Sequence, residues 1–378
     1  MKTHEDVVEG VQRRLIEQGC LDTTEVAAAV RAEAGLISDV EVLAILRRLR
    51  DESEGVGSLE PVLSLPGVTD VLVNGPEQVW FDRGDGLERS KITFSDDAAV
   101  RRLATRLAVS AGTRLDDAQP FADGRLLRSD GTSIRFHAVL SPPAESGTCV
   151  SLRILRQATM DVPQLVQAGA LSEPVAELLR QIVRRRYSYL IVGGTGTGKT
   201  TLLSALLAEV PATERLLCIE DTAELAPRHP HVLNLVARRA NVEGCGEITL
   251  STLLRQGLRM RPDRIVVGEI RGPEIVDLFS ALNTGHEGGA GTLHANSLAE
   301  VPARIEALAA LGGLEREAAH SQFAAAVQIV MVMRRTKGGG RVLGQIGAVE
   351  WGAQGLVHIR ELWRRGAEVP SLEGVERW

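Results

Sequence analysis

The chain has 378 residues, and its apolar share of 44% is ample for two or three buried cores. A formal net charge of −6 and an aromatic share of 3% argue against a dominant nucleic-acid surface, which needs a basic face and stacking platforms. Cys20, Cys149, Cys218 and Cys245 are far apart with no C-x-x-C pair, so neither a zinc ribbon nor a disulfide framework is expected, and a reducing cytosol fits.

Up to about Glu54 the apolar period is helical, with Val7, Val11 and Leu15 on one face, then Val26 to Ala34, then Leu43, Leu46 and Leu49. Glu5, Asp6, Glu9, Arg13 and Arg14 stand where a signal peptide needs an apolar core, and no stretch is long and apolar enough to span a membrane. The expected place is the cytoplasm, with any membrane contact made through partners. After the Gly55-Val-Gly57 hinge, Val68 to Asn74 and Gln78 to Asp82 read as strands about the Asn74-Gly75-Pro76 turn. A helix is expected over Asp96 to Ser110, a hairpin from Arg125-Leu-Leu127 and Thr132 to Val139, and a strand over Cys149 to Leu155. From about Pro174 strands and helices alternate, which implies a parallel sheet with both faces covered. The expected plan is a helical segment over 1–57, an α+β domain over 58–156, a linker over 157–173, an α/β domain over 174–365 and a tail over 366–378.

The α/β domain carries the chemistry. Gly193-Gly194-Thr195-Gly196-Thr197-Gly198-Lys199-Thr200 fills every position of G-x-x-x-x-G-K-T, with the apolar run Tyr189 to Val192 before it and helix-forming Thr201 to Glu209 after it. Glycines let backbone N–H groups surround phosphates, Lys199 reaches the β/γ oxygens, Thr200 offers a hydroxyl to Mg²⁺, and the helix N-terminus adds its positive end. The alternative, a chance glycine turn before a helix, does not explain why every motif position is filled. Glu220, Asp221 and Glu224 follow the next apolar strand, where open α/β sheets place their chemistry. Arg264-Ile-Val-Val-Gly-Glu269 is another strand ending in an acid, as a Walker-B segment does, although Gly268 stands where many such motors carry aspartate, so magnesium contact through water is expected. His286 and His294 bracket a glycine-rich turn and a short strand; a neutral His294 can hydrogen-bond a phosphate or the catalytic glutamate. Taken singly, an acid at a strand end is an ordinary cap and a lone histidine an ordinary core or surface group; their shared position after one phosphate loop favours function.

These blocks, with Asn241-Val-Glu-Gly, Gly246-Glu-Ile-Thr249 and Leu258-Arg-Met-Arg-Pro-Asp-Arg264, resemble the motor ATPases of type II/IV secretion and type IV pili, most closely their tight-adherence (Flp) pilus branch. The resemblance covers most of Leu59 to Arg334. It implies a RecA-like ATPase domain behind a PAS-like domain, ATP with Mg²⁺, a homo-oligomeric ring, a hexamer in the family, and an inner-membrane platform partner. It further implies that Glu224 orients or activates the attacking water, with Glu220 as runner-up, that Glu269 holds the magnesium water shell, and that His294 belongs to a conformational switch. Arg125 and Arg135, in Asp123-Gly-Arg125 and Gly131-Thr-Ser-Ile-Arg135, match the family's charge-neutralising arginines, although Leu127-Arg128-Ser129 departs from its short hairpin turn. Arg238-Arg-Ala-Asn241 lacks the expected prolines, which leaves Arg238, the preferred residue, or Arg239 to face the phosphates. A DNA motor, a P-loop kinase and a non-hydrolysing scaffold are the competing readings. The acidic balance and absence of a second motor core weigh against the first; a kinase would need an acceptor site and a lid, whereas this chain spends its extra residues on N-terminal domains and carries a Glu-plus-His apparatus suited to water attack.

Overall fold

The computed structural model describes residues 55–375 apart from 85, 129–130, 156, 239, 241–244, 337, 353–354, 371 and 373–374. The three-helix reading of the N-terminal segment, and with it Arg239 and the Asn241-Val-Glu-Gly block, lies outside the described residues. The chain divides into two compact units, Met1–Arg156 and Gln157–Trp378.

In the first unit, a short helix α1 (Glu60–Leu63) precedes β1 (Asp70–Asn74), β2 (Val79–Asp82), β3 (Leu87–Arg89), helix α2 (Asp97–Ser110), β4 (Phe121–Leu127), β5 (Ser133–Val139) and β6 (Cys149–Leu155). The six strands form one sheet in the order β3-β2-β1-β6-β5-β4, and every pairing is antiparallel. Helix α2 starts at Asp96, whose side chain accepts the Ala99 N–H at 2.7 Å, and buries Val100, Leu103, Ala104, Leu107 and Ala108. Alternation along β5 buries Ile134, Phe136 and Ala138 and leaves Arg135 exposed. The register places Arg125 opposite Arg135 and Arg135 opposite Arg153, so three arginines share one row of the solvent face. Arg153 is neutralised by Asp70 at 2.7 Å on the neighbouring strand, and Arg125 donates to Ser133 Oγ. The hairpin that looked irregular in sequence closes through Arg128 N–H to Thr132 O at 2.9 Å, and Arg128 pairs with Glu60 at 2.9 Å.

The second unit runs α3 (Val162–Gln167), α4 (Glu173–Arg184), β7 (Tyr189–Val192), α5 (Lys199–Leu207), β8 (Leu216–Glu220), β9 (Val232–Val236), α6 (Leu250–Gly257), β10 (Arg264–Ile270), α7 (Glu274–Asn283), β11 (Ala290–Leu293), α8 (Val301–Leu311), α9 (Arg316–Ala326), β12 (Ile329–Arg335), β13 (Arg341–Trp351) and β14 (Val357–Arg364). The sheet order is β14-β13-β12-β7-β11-β10-β8-β9, parallel from β12 to β9 and antiparallel over β12, β13 and β14. All four β7 residues are buried because both faces are covered: Tyr189 and Ile191 join the core with α4 and α5, Leu190 and Val192 the core with α6, α7, α8 and α9. This doubly covered, mostly parallel sheet carries the phosphate loop on a central strand, as the RecA-like reading requires.

Two segments differ from expectation. Residues 157–173, expected as a linker, carry α3 with a capping box at Asp161 and Gln164, and bury Val162, Leu165, Ala170 and Leu171 in the same core as α4. In the expected tail, Leu372 and Val375 are buried against that core, and the Tyr187 hydroxyl donates to the Val375 carbonyl at 3.3 Å. Apolar burial, not chain position, decides both.

At the end of the sheet opposite the phosphate loop, Arg264 is 1% exposed, and its Nε meets Glu214 Oε2 at 2.7 Å. Arg186 reaches the same carboxylate at 3.0 Å and donates to the Asp263 and Glu287 carbonyls at 3.0 and 3.3 Å. This group ties together the starts of four parallel strands, β7, β8, β10 and β11. Removing the carboxylate leaves a buried guanidinium uncompensated, so Glu214→Ala should cost about 3–5 kcal/mol, read by urea unfolding of the full chain. A loss below about 1 kcal/mol would show that the pair is only surface decoration.

Candidate active site

The phosphate loop leaves the carboxyl end of β7 and enters α5, and its backbone explains its glycines. A Cβ on Gly193 would come within 2.5 Å of the Met333 carbonyl oxygen, and Gly198 adopts a left-handed φ of 93° as it caps α5. Thr197 Oγ1 donates to the Gly194 carbonyl at 2.9 Å, which holds the curve. Lys199, 8% exposed, turns its ammonium back onto the loop and donates to the carbonyls of Gly193 at 3.1 Å and Gly194 at 3.0 Å. Burial lowers its pKa and nearby Arg271 lowers it further, against the opposing pull of Glu269 and Glu224.

The acids come from the carboxyl ends of two adjacent strands, β8 and β10. Glu224 Oε2 lies 3.5 Å from Thr200 Oγ1, so the structure brings the expected base to the expected magnesium ligand. Glu220 is buried, and its Oε1 accepts the N–H groups of Glu224 and Leu225. Glu269 is held at both oxygens: His294 Nε2 is 2.5 Å from Oε1, and Arg271 Nη2 donates to Oε2. His294 enters from the end of β11, beside Thr292, whose hydroxyl donates to the Gly268 carbonyl at 2.6 Å. His286 lies apart, with Nδ1 3.1 Å from the Ala281 carbonyl oxygen. Arg238, on a bridge to Ile248 beyond the edge strand β9, donates to the Gly246 carbonyl at 2.7 Å and has no described contact with the phosphate loop.

Three residues to which the sequence reading gave no role border this site. Arg271 holds Glu269 and also feels Asp221 and Glu224; its N–H is fixed by Glu274 Oε1 at 2.6 Å. Asn296 and Arg341 lie against the loop: a Cβ on Gly194 would be 3.8 Å from Asn296 Oδ1, and one on Gly198 would be 3.3 Å from Arg341 Cδ. The Gly-Glu-Ile-Arg run was a signal for Arg271, because an arginine one strand repeat after the terminal acid faces the same way.

The donor set suits magnesium held partly by a substrate. Among the described residues no group of three or more His, Cys, Asp or Glu side chains could hold a metal alone. Thr200 would provide a hydroxyl directly and Glu269 a carboxylate for a metal-bound water, and Mg²⁺ commonly takes one or two protein oxygens plus phosphate oxygens and waters. The surrounding acids would repel an uncompensated triphosphate, which further favours a divalent cation beside it.

A complete phosphate loop on a doubly covered parallel sheet, with acids at the adjacent strand ends, defines a P-loop NTPase. The chain belongs to the family described as type II/IV secretion system protein, which residues 52–344 match, and it is an ATPase of that class. It is 59% identical over 330 residues, 87% of this chain and 94% of the relative, to a Mycobacterium tuberculosis protein named as a candidate conjugal transfer protein. It is 31% identical over 266 residues, 64% of this chain and 76% of the relative, to the type IV secretion system protein PtlH of Bordetella pertussis. The solved ATPase DotB of Legionella pneumophila shares the fold, with a TM-score of 0.53 and 18% identity over 76% of this chain and 78% of that one.

Burial pushes the Glu269 carboxyl up, but the hydrogen bond from Arg271, with the charges of Arg271, His294 and Lys199, overrides it and holds the pKa below the usual carboxylate range. The stabilisation is therefore present above the unfolded-state pKa and lost as pH falls through the folded one. Arg271→Gln removes the main lowering influence and leaves the burial, so Glu269 should protonate at a higher pH. Carboxyl-carbon NMR titration of glutamate-labelled wild type and variant reads this directly; an unmoved midpoint would contradict the assigned cause.

Proposed function

We propose that this chain is a Mg²⁺-dependent ATP-hydrolysing motor, working as a ring of identical subunits, six by family resemblance, that drives a pilus-assembly or secretion machine through a platform protein in the inner membrane. The observation that carries the reading is Lys199 and Thr200 standing beside Glu224 and Glu269 at adjoining strand ends. Phosphate oxygens replace the Gly193 and Gly194 carbonyls as partners of the Lys199 ammonium, while loop N–H groups and the start of α5 receive the remaining charge. Glu224 orients the attacking water and accepts its proton as the terminal phosphoryl group departs. Bound magnesium would supply charge neutralisation on the phosphates, held by Thr200 directly and by Glu269 through water. His294, hydrogen-bonded to Glu269, registers the change in that carboxylate's surroundings when phosphate leaves. Arg125 and Arg135, with Arg238 a further candidate, add positive charge for the transition state.

The motor acts at the cytoplasmic face through its platform partner; among the described residues no helix is long and apolar enough to cross a membrane. The residue blocks favour the tight-adherence pilus branch. The conjugal-transfer name of the mycobacterial relative favours a second reading, a motor of a DNA-transfer machine, in which the chain acts on the apparatus and direct DNA contact is not expected. Membrane proteins retained by the tagged chain separate the two: a pilus platform supports the first, a transfer channel the second.

Lys199→Ala should abolish ATP binding or turnover, a loss of a few kcal/mol or about 100-fold or more at the transition state, and undiminished phosphate release would end the ATPase mechanism. Glu224→Gln keeps the shape and loses the base, so ATP should still bind while hydrolysis slows at least ~100-fold. Arg135→Ala should lower kcat far more than it weakens ATP binding; wild-type kcat, with the ring intact by sedimentation, would confine the chemistry to the second unit.

A further inference from the structure

We infer that Glu220 is a positioning residue for Glu224, and that Gly268 exists to make room for it. The inference rests on Glu224 being the base. Glu220 ends β8, a strand whose five residues are all buried, and it is 3% exposed. Its Oε1 accepts the Glu224 N–H at 3.1 Å and the Leu225 N–H at 3.0 Å, closing the turn through Asp221, Thr222 and Ala223. Two N–H donors on one carboxylate oxygen make a charge-assisted clamp on the backbone. The other oxygen, Oε2, is also out of contact with solvent, so the carboxylate offers no open face to an attacking water.

The far side of Glu224 is pinned as well. Its carbonyl accepts the Ala158 N–H at 2.9 Å, and Ala158 bridges Leu225, which is 2% exposed. With both backbone groups held, the Glu224 carboxylate stands 3.5 Å from Thr200 Oγ1. The neighbouring strand accommodates the arrangement. A Cβ on Gly268 would lie 2.7 Å from Glu220 Cγ and 2.9 Å from Oε1, closer than real Cβ contacts come, and the Thr292 hydroxyl fixes the Gly268 carbonyl from the other side. Where many P-loop motors carry an aspartate on this strand, the present chain carries no side chain, and the buried acid arrives from β8 instead.

The test measures kcat for ATP and affinity for ADP in Glu220→Ala, Glu220→Gln, Glu224→Gln, Gly268→Ala and the Gly268→Ala/Glu220→Ala double variant. Loss of the clamp should lower kcat of Glu220→Ala on the order of 100-fold with ADP affinity kept, because a misplaced base costs rate and not ground-state binding. Glutamine keeps an oxygen that accepts both N–H groups, so Glu220→Gln should recover at least about tenfold of that loss. Gly268→Ala should lower kcat in the wild-type background and have no further effect in Glu220→Ala, since the group it displaces is gone. Glu220→Gln as inactive as Glu220→Ala would mean that the carboxylate itself reacts and would overturn the inference, as would additive losses in the double variant. Should Glu220→Ala lose ADP binding, Glu220→Gln and Gly268→Ala decide alone: Glu220→Gln as slow as Glu224→Gln, or wild-type kcat in Gly268→Ala, refutes the assignment. Wild-type turnover by Glu224→Gln would instead sink the underlying choice of base, a separate outcome.

Discussion

A buried ammonium at the carboxyl ends of parallel strands is the constraint on which the rest of this molecule depends. Lys199 sits at the first turn of α5, mostly out of water, and burial disfavours its charge. It remains compatible with the fold because two loop carbonyls accept from it and because Glu269 and Glu224 lie near enough to favour the cation. Those acids in turn require company of their own. Arg271 and His294 take the two oxygens of Glu269, and Glu274 fixes the turn that presents Arg271. The result is a set of charges that balance one another around a loop shaped to receive phosphate.

The architecture that makes this possible is a sheet covered on both faces. Alternate residues of β7 enter different cores, so the strand bearing the phosphate loop is anchored on both sides and the loop at its end inherits that rigidity. The Glu214, Arg264 and Arg186 group fixes the opposite ends of the neighbouring strands. Chemistry at one end and structural ion pairing at the other divide the polar groups of the sheet between two different tasks.

Much of this was legible in the sequence. The phosphate loop and the apolar strands before it and before the acids follow from local rules, which is why the second unit's sheet and the strand-end positions of Glu224 and Glu269 could be anticipated; in the first unit the helix expected over Asp96 to Ser110 forms over Asp97–Ser110. What escaped depends on packing between distant residues. The opposition of Arg125, Arg135 and Arg153 is a matter of register, invisible until strands pair. Residues 157–173 read as a linker because α3 is too short for a helical period to show, yet their apolar side chains complete a core. Gly268 read as a departure from the usual acidic strand end, and only the position of Glu220 on the adjacent strand gives that glycine a reason.

The central claim is that these balanced charges form a site completed by a nucleotide and a divalent cation together. Phosphate release by the purified full-length chain, measured with saturating ATP across a Mg²⁺ titration that begins in excess chelator, tests it most directly. The account predicts negligible release in chelator and a rise to saturation as Mg²⁺ is restored, because the acids around Lys199 oppose an uncompensated triphosphate. Equal release with and without the cation would contradict it.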